Sequence, residues 1–348
     1  MATAVTREHG AAAPVAATVA TPSWRLAQAN AYSGMDSVSG ITSAANGTMW
    51  AVGNLVSQRK PLLQRLTAKG WTQVSIPTSM SQVQLTAVGA SSASDVWLGG
   101  SPWGTGHPVL HWNGSKWTSM ALPGSFFIPE SIAALSQKNV WMAGSQNYAK
   151  RWNGSGWRDY PLGIRSRQIK AYSATDIWAV GTGSQTEGQP AISHWNGSVW
   201  KRMAFPKISG IVATEMAPAL NDVEAYSAKD VWAVGSIPVK DSAGKLASRS
   251  LLAHWNGTRW ATALGKYGTS YSQIERDGSG GIWIQSGSTE LRHRSKSGAW
   301  TTYRLAISAG KSGHVYGLAH RAGTKTVWAV GMTYTANNNG DGAYWRND

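Results

Sequence analysis

The sequence predicts an all-β fold, a seven-bladed β-propeller built of four-stranded antiparallel blades. Three observations predict it: a motif around "DVWAVG" occurs seven times, a second motif around "HWNGxxW" follows most copies, and no stretch indicates a helix. A repeat of this length buries its apolar face only against neighbouring copies, so the copies must stack around a shared core. The first tryptophan of the first motif recurs every 37 to 54 residues, at Trp50, Trp97, Trp141, Trp178, Trp232, Trp283 and Trp328.

Each repeat is predicted to contain four strands, and the fifth copy shows them most clearly. Its first strand, "DVEAYS", alternates in polarity, and its last two strands flank Asn256-Gly257, a strong signal for a two-residue hairpin. Such a type I′ turn requires positive φ at both central residues, so this dipeptide is predicted to fill them. The same dipeptide begins at Asn113, Asn153 and Asn196. The four predicted strands are Asp222–Ser227, Val231–Ser236, Leu251–Trp255 and Trp260–Leu264.

The repeat is permuted by one strand between the two ends of the chain. The tryptophan after the hairpin occurs six times and is missing from the seventh copy, whereas Trp24 stands alone at the other end. The seventh blade is therefore expected to take its outermost strand from Ser23–Gln28. Its other three strands are expected at about His314–His320, Thr326–Met332 and Gly342–Asn347. Pairing the two ends closes the ring and protects the terminal blade from fraying.

A single propeller domain is predicted for residues 23–348, and a disordered tail for residues 1–22, which are rich in Ala, Thr and Pro. The tail resembles the low-complexity stretch that follows a removed secretory signal, so we expect a secreted protein. No apolar run approaches the roughly 18 residues that a membrane-spanning helix requires, and membrane insertion is not expected.

Tryptophan dominates the composition, with 20 residues against 3 phenylalanines. The repeat accounts for all of them except Trp103, and these repeated tryptophans are predicted to form the core because each ring buries about 150–250 Å². The absence of cysteine excludes disulfides and thiolate metal sites. The net charge of +15 favours anionic partners such as acidic glycans or cell-wall polymers. Nucleic acid is not the expected partner, since few aromatic rings remain to stack on bases.

The acidic and histidine residues of the two motifs are predicted to be structural. The aspartates that end "SAxD", such as Asp95 and Asp230, fall in the turn after the first strand, where they can bond backbone N–H groups. The histidines before the hairpin, such as His111 and His254, fall on different blades, whereas a metal site needs converging ligands. We therefore expect neither a metal site nor a cofactor.

In "SAxDVWAVG" and "HWNGSxW" the chain resembles the Trp-rich propellers of secreted actinobacterial and myxobacterial proteins. It is loosely similar to tectonin-type and fucose-binding bacterial propeller lectins, and to Kelch propellers of the galactose oxidase class. The double glycine of Kelch repeats and the cross-linked cysteine of galactose oxidase are absent, which argues against that class. The resemblance implies a secreted, lectin-like protein.

Residues that interrupt the repeat are the candidates for function, because scaffold residues recur in every blade. The interruptions are long loops on one face, where a rigid scaffold usually carries its binding residues. Aromatic rings there would stack on a sugar while polar groups orient its hydroxyls, and Trp103 is the preferred exposed platform. The predicted ligand-binding residues are Trp103, Phe126, Phe127, Tyr148, Tyr267, Tyr271, Tyr334, Gln168 and Asn221. A glycan or anionic polymer is the expected partner, and the oligomeric state stays open.

Two other functions remain open on the same residues. A lyase or glycoside hydrolase would use carboxylates about 5–9 Å apart at the mouth of the central channel. The candidate catalytic residues for such an enzyme are Asp36, Glu130, Asp222, His314 and Arg167. A protein-interaction scaffold would instead bind a protein partner through the loops.

Overall fold

Seven four-stranded antiparallel sheets form the molecule, which confirms the predicted seven-bladed propeller. The structure is a computed structural model that describes residues 24–348 except 78–80, 82, 104–108, 125–126, 145, 185 and 338. The predicted tail lies outside these residues. In chain order the strands are β1 (Arg25–Ala29), β2 (Asp36–Ser43), β3 (Met49–Leu55), β4 (Lys60–Thr67), β5 (Gly70–Gln73), β6 (Val83–Ser92), β7 (Asp95–Pro102), β8 (Val109–Trp112), β9 (Trp117–Ser119), β10 (Ser131–Ser136), β11 (Asn139–Ala143), β12 (Tyr148–Trp152), β13 (Trp157–Pro161), β14 (Arg165–Ser173), β15 (Asp176–Thr182), β16 (Pro190–Trp195), β17 (Trp200–Arg202), β18 (Ala219–Ser227), β19 (Asp230–Lys240), β20 (Leu246–Trp255), β21 (Trp260–Tyr267), β22 (Tyr271–Arg276), β23 (Ile282–Ser286), β24 (Glu290–Arg294), β25 (Trp300–Arg304), β26 (Ser312–His320), β27 (Val327–Tyr334) and β28 (Gly340–Arg346), with a 3₁₀ turn at Val56–Gln58.

The blades follow one another in chain order around a central channel. Blades 1 to 6 each use four consecutive strands, beginning with β2, and blade 7 combines β26–β28 with β1. The first strands of neighbouring blades contact each other, so they line the channel. Because the strands alternate in direction, the short turns after the first and third strands lie together on what we call the turn face. The longer loops and the connections between blades lie on the opposite side, the loop face.

The two ends of the chain close the ring, as the sequence predicts. Strand β1 pairs antiparallel with β28, with Leu26 opposite Trp345 and Ala29 opposite Ala343. Trp24 is fully buried and meets Trp283 of blade 6 edge-on, with ring centroids 5.0 Å apart. The N-terminal segment therefore supplies both an outer strand and a core side chain.

The repeated tryptophans join each blade to the next. The tryptophan of the second strand packs edge-on against the tryptophan that begins the outermost strand of the following blade, as in Trp97 with Trp157 at 5.9 Å and Trp178 with Trp260 at 5.8 Å. Interplanar angles of 81° to 89° recur at six junctions, an arrangement that aromatic quadrupoles favour. Trp24 makes this contact for blade 7. Both motifs thus serve the same set of interfaces, which explains why they recur together.

The motif aspartates hold side chains rather than turn backbone, which corrects one detail of the sequence interpretation. Asp95 Oδ1 accepts a hydrogen bond from Trp97 Nε1 at 2.9 Å and lies 2.7 Å from His111 Nε2. His111 also stacks on Trp97, with centroids 4.1 Å apart. The same arrangement joins Asp230 and His254 in blade 5. The carboxylate therefore ties the first turn of a blade to its second and third strands.

The Asn-Gly hairpins also differ from the predicted turn. Gly114 and Gly257 have φ of +95° and +91°, but among the described residues only Arg59 is a non-glycine residue with positive φ. Glycine is therefore the first central residue, the pattern of a type II′ rather than a type I′ turn. Asn256 stands one position earlier, where its Oδ1 accepts the N–H groups of Thr258 and Arg259 at 3.0 Å.

Candidate functional site

The central channel contains a cluster of charged residues that come from neighbouring blades. The channel encloses a cavity of about 590 Å³ along the first strands of the blades. In each of these strands, one residue pairs with the first-motif tryptophan of the second strand. Around the ring this position is occupied by Thr42, Gly89, Ala133, Lys170, Glu224, Glu275 and Ala319. The charged members belong to three consecutive blades, 4 to 6, whereas the other four blades carry small residues.

These charges form one connected ion cluster with Arg276, which follows Glu275 in β22. Lys170 Nζ contacts the fully buried Glu224 and donates to Glu275 Oε2 at 2.9 Å. Arg276 binds Glu224 from the other side, with Nε 2.8 Å from Oε1, and also donates to the carbonyl of Ala225 at 2.8 Å. Glu224 is thus held between two cations from the neighbouring blades. The cluster links blades 4, 5 and 6 across the channel wall.

Burial and charge act in opposite directions on the two glutamates. Burial raises the pKa of Glu275 to about 7, even though Lys170 favours its ionised form. Burial also opposes ionisation of Glu224, but Lys170 and Arg276 outweigh it and lower the pKa of Glu224 below its ordinary range. Glu224 is therefore the permanent anion of the cluster, and Glu275 is the carboxyl that changes charge near neutral pH.

This difference predicts a pH dependence of stability. An ordinary glutamate pKa is 4.5, and that of Glu275 in the folded protein is about 7. At pH values between these two pKa values, the folded state keeps a proton that the unfolded chain releases. Raising the pH through this range should therefore lower the free energy of unfolding by about 3 kcal/mol. Above the folded pKa the contribution should be constant. Urea unfolding of the wild type and of Glu275→Gln at about pH 5 and about pH 8 measures it, and the variant should lack this fall. An equal decrease in the free energy of unfolding of both proteins would contradict the assignment of this pH dependence to Glu275.

The sequence contains a signal for this cluster that the loop-centred prediction missed. Lys170, Glu224 and Glu275 interrupt the repeat within a strand, at a position where the other blades carry Thr, Gly or Ala. When the seven first strands are aligned by the residue that pairs with the first-motif tryptophan, these three residues are the charged exceptions.

The five candidate catalytic residues do not meet at one place. Glu130 and Asp222 both line the channel. Asp222 is buried, and its two oxygens accept the backbone N–H groups of Val223 and Ile274, which makes it a tie between blades 5 and 6. Asp36 plays a similar part at the ring closure, where Oδ1 accepts from Asn30 Nδ2 at 2.6 Å and from the N–H of Gly342 at 2.9 Å.

The other two candidate catalytic residues lie outside the channel. Arg167 donates to Asn221 Oδ1 at 2.9 Å on the loop face, and Asn221 in turn donates to the carbonyl of Tyr271 at 2.7 Å. His314 lines a separate small pocket, where burial lowers its pKa. Of these five residues, only Glu130 and Asp222 therefore line the same cavity.

Several of the predicted stacking aromatics are core residues. Phe127 is 3% exposed and packs on Tyr148 with centroids 5.7 Å apart, because the connection into blade 3 folds back over its own blade. Tyr271 is also buried, and its hydroxyl accepts from Arg292 at 2.6 Å. Neither Phe127 nor Tyr271 offers a free face to a ligand.

The remaining predicted residues keep some exposure. Trp103 is half-buried rather than fully exposed, and Phe126 lies outside the described residues. Tyr267 is 50% exposed beneath the guanidinium of Arg249, which lies 4.8 Å from its ring centroid. Gln168 is half-buried and lines the channel.

A groove of about 880 Å³ opens on the loop face between blades 4 and 5. One wall is formed by residues 182–184 and 186–189, and the other by the connection 207–218. Gln189 joins the two walls, because its side chain accepts from the N–H of Ile208 at 2.8 Å and donates to the carbonyl of Ile208 at 3.2 Å. Apolar side chains of Ile208 and Ile211 face it together with the cations Arg167 and Lys207. No aromatic residue occurs among the described residues that line it.

A second pocket of about 390 Å³ on the loop face is aromatic. It is lined by Met35, His314, Tyr316, Met332 and Tyr334. The rings of His314 and Tyr316 lie 4.9 Å apart, and Tyr316 is 38% exposed. This pocket brings together two predicted residues, His314 and Tyr334, and adds Tyr316, which lies within a strand rather than a loop.

Two general properties of the described chain bear on its chemistry. Nowhere in it do three His, Asp or Glu side chains gather as ligands for a metal ion. The described residues also include no helix with the length and apolar character that crossing a membrane requires.

Comparison with known proteins supports the fold and leaves the function open. The sequence matches no protein family and no curated protein. Among solved structures it is similar to YCF48 bound to D1 peptide, with a TM-score of 0.60 and 14% identity over 96% of this chain and 99% of that chain. It is similar to the WD40 β-propeller domain of Doa1, with a TM-score of 0.58 and 12% identity over 92% of this chain and 96% of that chain. It is also similar to a GH74 xyloglucanase from Xanthomonas campestris, with a TM-score of 0.59 and 13% identity over 93% of this chain and 56% of that chain.

At these identities the likeness establishes a propeller fold and nothing about ligands. None of these three is a tectonin-type or fucose-binding lectin, so the comparisons do not support the lectin resemblance drawn from the motifs. The chain is a seven-bladed β-propeller with Trp-rich repeats.

Proposed function

We propose that the protein is a binding module that takes an extended, acidic peptide segment in the groove between blades 4 and 5. The observation that carries the proposal is the lining of this groove, which combines apolar side chains with a cationic rim and lacks described aromatic residues. A sugar is usually held by stacking on an aromatic face, whereas a peptide needs pockets for alternate side chains and charges for its acidic groups.

The charges of the groove favour an anionic ligand. Arg165, Arg167 and Lys207 lie along it, and the protein carries a net charge of +15. Of the two carboxylates at its rim, Glu187 forms a salt bridge with Arg202. Glu215 is the other carboxylate among the described residues that line the groove, so an acidic segment would meet more positive than negative charge there.

The shape of the groove also suits a peptide. Gln189 holds the two walls together, and the hydrogen bond from Val212 N–H to the carbonyl of Pro238 at 3.1 Å ties the second wall to β19 of blade 5. Such bracing keeps the groove open without a ligand, which lowers the cost of ordering on binding. The solved propeller YCF48, which is similar in fold, binds a D1 peptide, and this is consistent with a peptide ligand here.

Glycan binding remains a second candidate because of the aromatic pocket in blade 7. Tyr316, Tyr334 and His314 present rings there in a volume that a single sugar could fill. The two functions use different blades, so variants can separate them. Secretion, as the tail predicts, would suit either ligand.

A binding assay separates the two functions. Fluorescence anisotropy with a labelled peptide of alternating Glu and Leu should show saturable binding, and Arg167→Ala should weaken it about tenfold because a charged hydrogen-bonding partner is lost. Tyr316→Ala is the matched control on the same face and should bind as the wild type does. If the peptide does not bind, and a glycan array gives hits that Tyr316→Ala abolishes and Arg167→Ala preserves, the glycan function replaces the peptide function.

A further inference from the structure

The turn face carries a ring of exposed basic side chains that the proposed groove does not use. Eight lysines and arginines lie in its turns, distributed over six of the seven blades. They are Lys69, Lys116, Lys138, Lys229, Arg259, Lys296, Arg321 and Lys325.

The acidic residues of the same face are already engaged. In blades 2, 4, 5 and 6 an aspartate at the first turn is paired with a histidine of its own blade, at 2.7 to 2.9 Å. Asp348 forms a salt bridge with Arg346 at 2.8 Å and also contacts Arg25. The eight basic side chains outnumber these five aspartates, so the turns that the structure describes carry a net positive charge. This surface has a positive potential of its own, separate from that of the groove.

The basic side chains rest on a rigid support. Lys229 of the first turn in blade 5 lies across Gly257 of the hairpin beside it, so that a Cβ on this glycine would be 2.9 Å from Lys229 Cβ. Lys138 lies across Gly154 in the same way in blade 3. In these two blades the first turn and the hairpin therefore pack on each other, and each lysine is part of that packing.

The blade that lacks a cation in its turns exposes apolar groups instead. In blade 4, Tyr172 at the end of the first strand is 46% exposed, and Val199 in the hairpin is 57% exposed. In the two blades next to blade 4, the half-buried Trp152 and Trp255 directly precede the hairpins of their own blades. Exposed cations combined with tyrosine, tryptophan and a small apolar group are the side chains that favour the interface of a lipid bilayer.

We propose that the turn face docks on the surface of an anionic lipid bilayer. A planar surface can contact cations in six blades at once, whereas a single linear polymer would follow only part of the ring. Each basic side chain near such a surface strengthens binding about fivefold, and several together suffice for peripheral attachment. Tyr172 and Val199 would enter the headgroup region, and the loop face with its groove would point away from the membrane.

Vesicle co-sedimentation tests this proposal directly. The protein should sediment with vesicles of equal parts phosphatidylglycerol and phosphatidylcholine, and not with pure phosphatidylcholine, and added salt should weaken the binding. Replacing Lys229, Arg259 and Lys296 together by alanine should weaken it about a hundredfold. Replacing the loop-face lysines Lys240, Lys245 and Lys266 together removes the same charge and should leave binding unchanged.

Two outcomes would overturn the proposal. Equal losses for the two triple variants would mean that net charge alone attracts the protein to vesicles. Binding to heparin, a soluble polyanion, that the turn-face triple abolishes, without any binding to vesicles, would make the face a polymer site instead. All six lysine and arginine positions are exposed, and unchanged circular dichroism of each variant verifies that the fold is intact.

Discussion

A chain that begins at Asn30 should lose most of its stability, because it lacks the strand that closes the ring. It would expose the edge of β28 and remove Trp24 from its contact with Trp283. Truncating a buried tryptophan alone costs about 3–5 kcal/mol, and the loss of strand pairing adds to this, so we expect the free energy of unfolding to fall by at least about 5 kcal/mol. Urea unfolding followed by far-ultraviolet circular dichroism measures the loss. The open edge should also promote aggregation.

Two controls identify the missing strand as the cause. A chain that begins at Ser23 retains Trp24 and β1 and should unfold at the wild-type urea concentration. A synthetic peptide of residues 24–30 added to the truncated protein should restore stability, and the same peptide with Trp24→Ala should not. If the truncated chain unfolds at the same urea concentration as the full chain, ring closure by β1 does not stabilise the fold.

Glu224→Gln should be the most damaging single substitution in the channel. The amide keeps the shape of the side chain but removes the anion between Lys170 and Arg276, leaving two cations with Glu275 as their remaining carboxylate. Breaking a fully buried ion pair on one side costs about 3–5 kcal/mol, but Lys170 and Arg276 keep 31% and 35% exposure and would be partly hydrated, so we expect a loss of about 2–3 kcal/mol. Urea unfolding at neutral pH should show a loss of this size. Glu187→Gln, which removes one partner of the exposed pair with Arg202, should leave the unfolding midpoint unchanged.

A double variant distinguishes loss of charge balance from loss of packing. Combining Glu224→Gln with Lys170→Met removes one of the stranded cations while keeping a long side chain, so part of the lost stability should return. If the double variant loses as much free energy of unfolding as the two single variants lose together, or more, the cluster does not act through charge compensation.

The sequence was sufficient for the scaffold because its signals are local and repeated. Spacing between tryptophans determined the number of blades, and the unmatched Trp24 indicated the ring closure. Contacts between distant segments were not readable in the same way. The pairing of Asp95 with His111 requires the third strand to lie beside the first turn, which only the folded blade shows.

The candidate site was harder to predict because loops have no period. Phe127 and Tyr267 look alike in sequence, as aromatic residues in connections between blades, yet one is 3% and the other 50% exposed. The difference depends on how each connection folds back on its own blade. The channel cluster does have a signal in the sequence, since Lys170 and Glu275 interrupt a strand position that small residues otherwise occupy.

The pairing of β1 with β28 also determines the order in which the molecule can be completed. Strand β1 is separated from its partner β28 by the six intervening blades, so it can pair only after those blades have been made. Closing a loop of nearly the whole chain is entropically costly, so this step is expected to be slow. Until it occurs, the edge of β28 can accept β1 from a second copy of the protein, which would produce swapped dimers at high concentration. The strand pairing that closes the ring within one molecule can therefore also join two molecules.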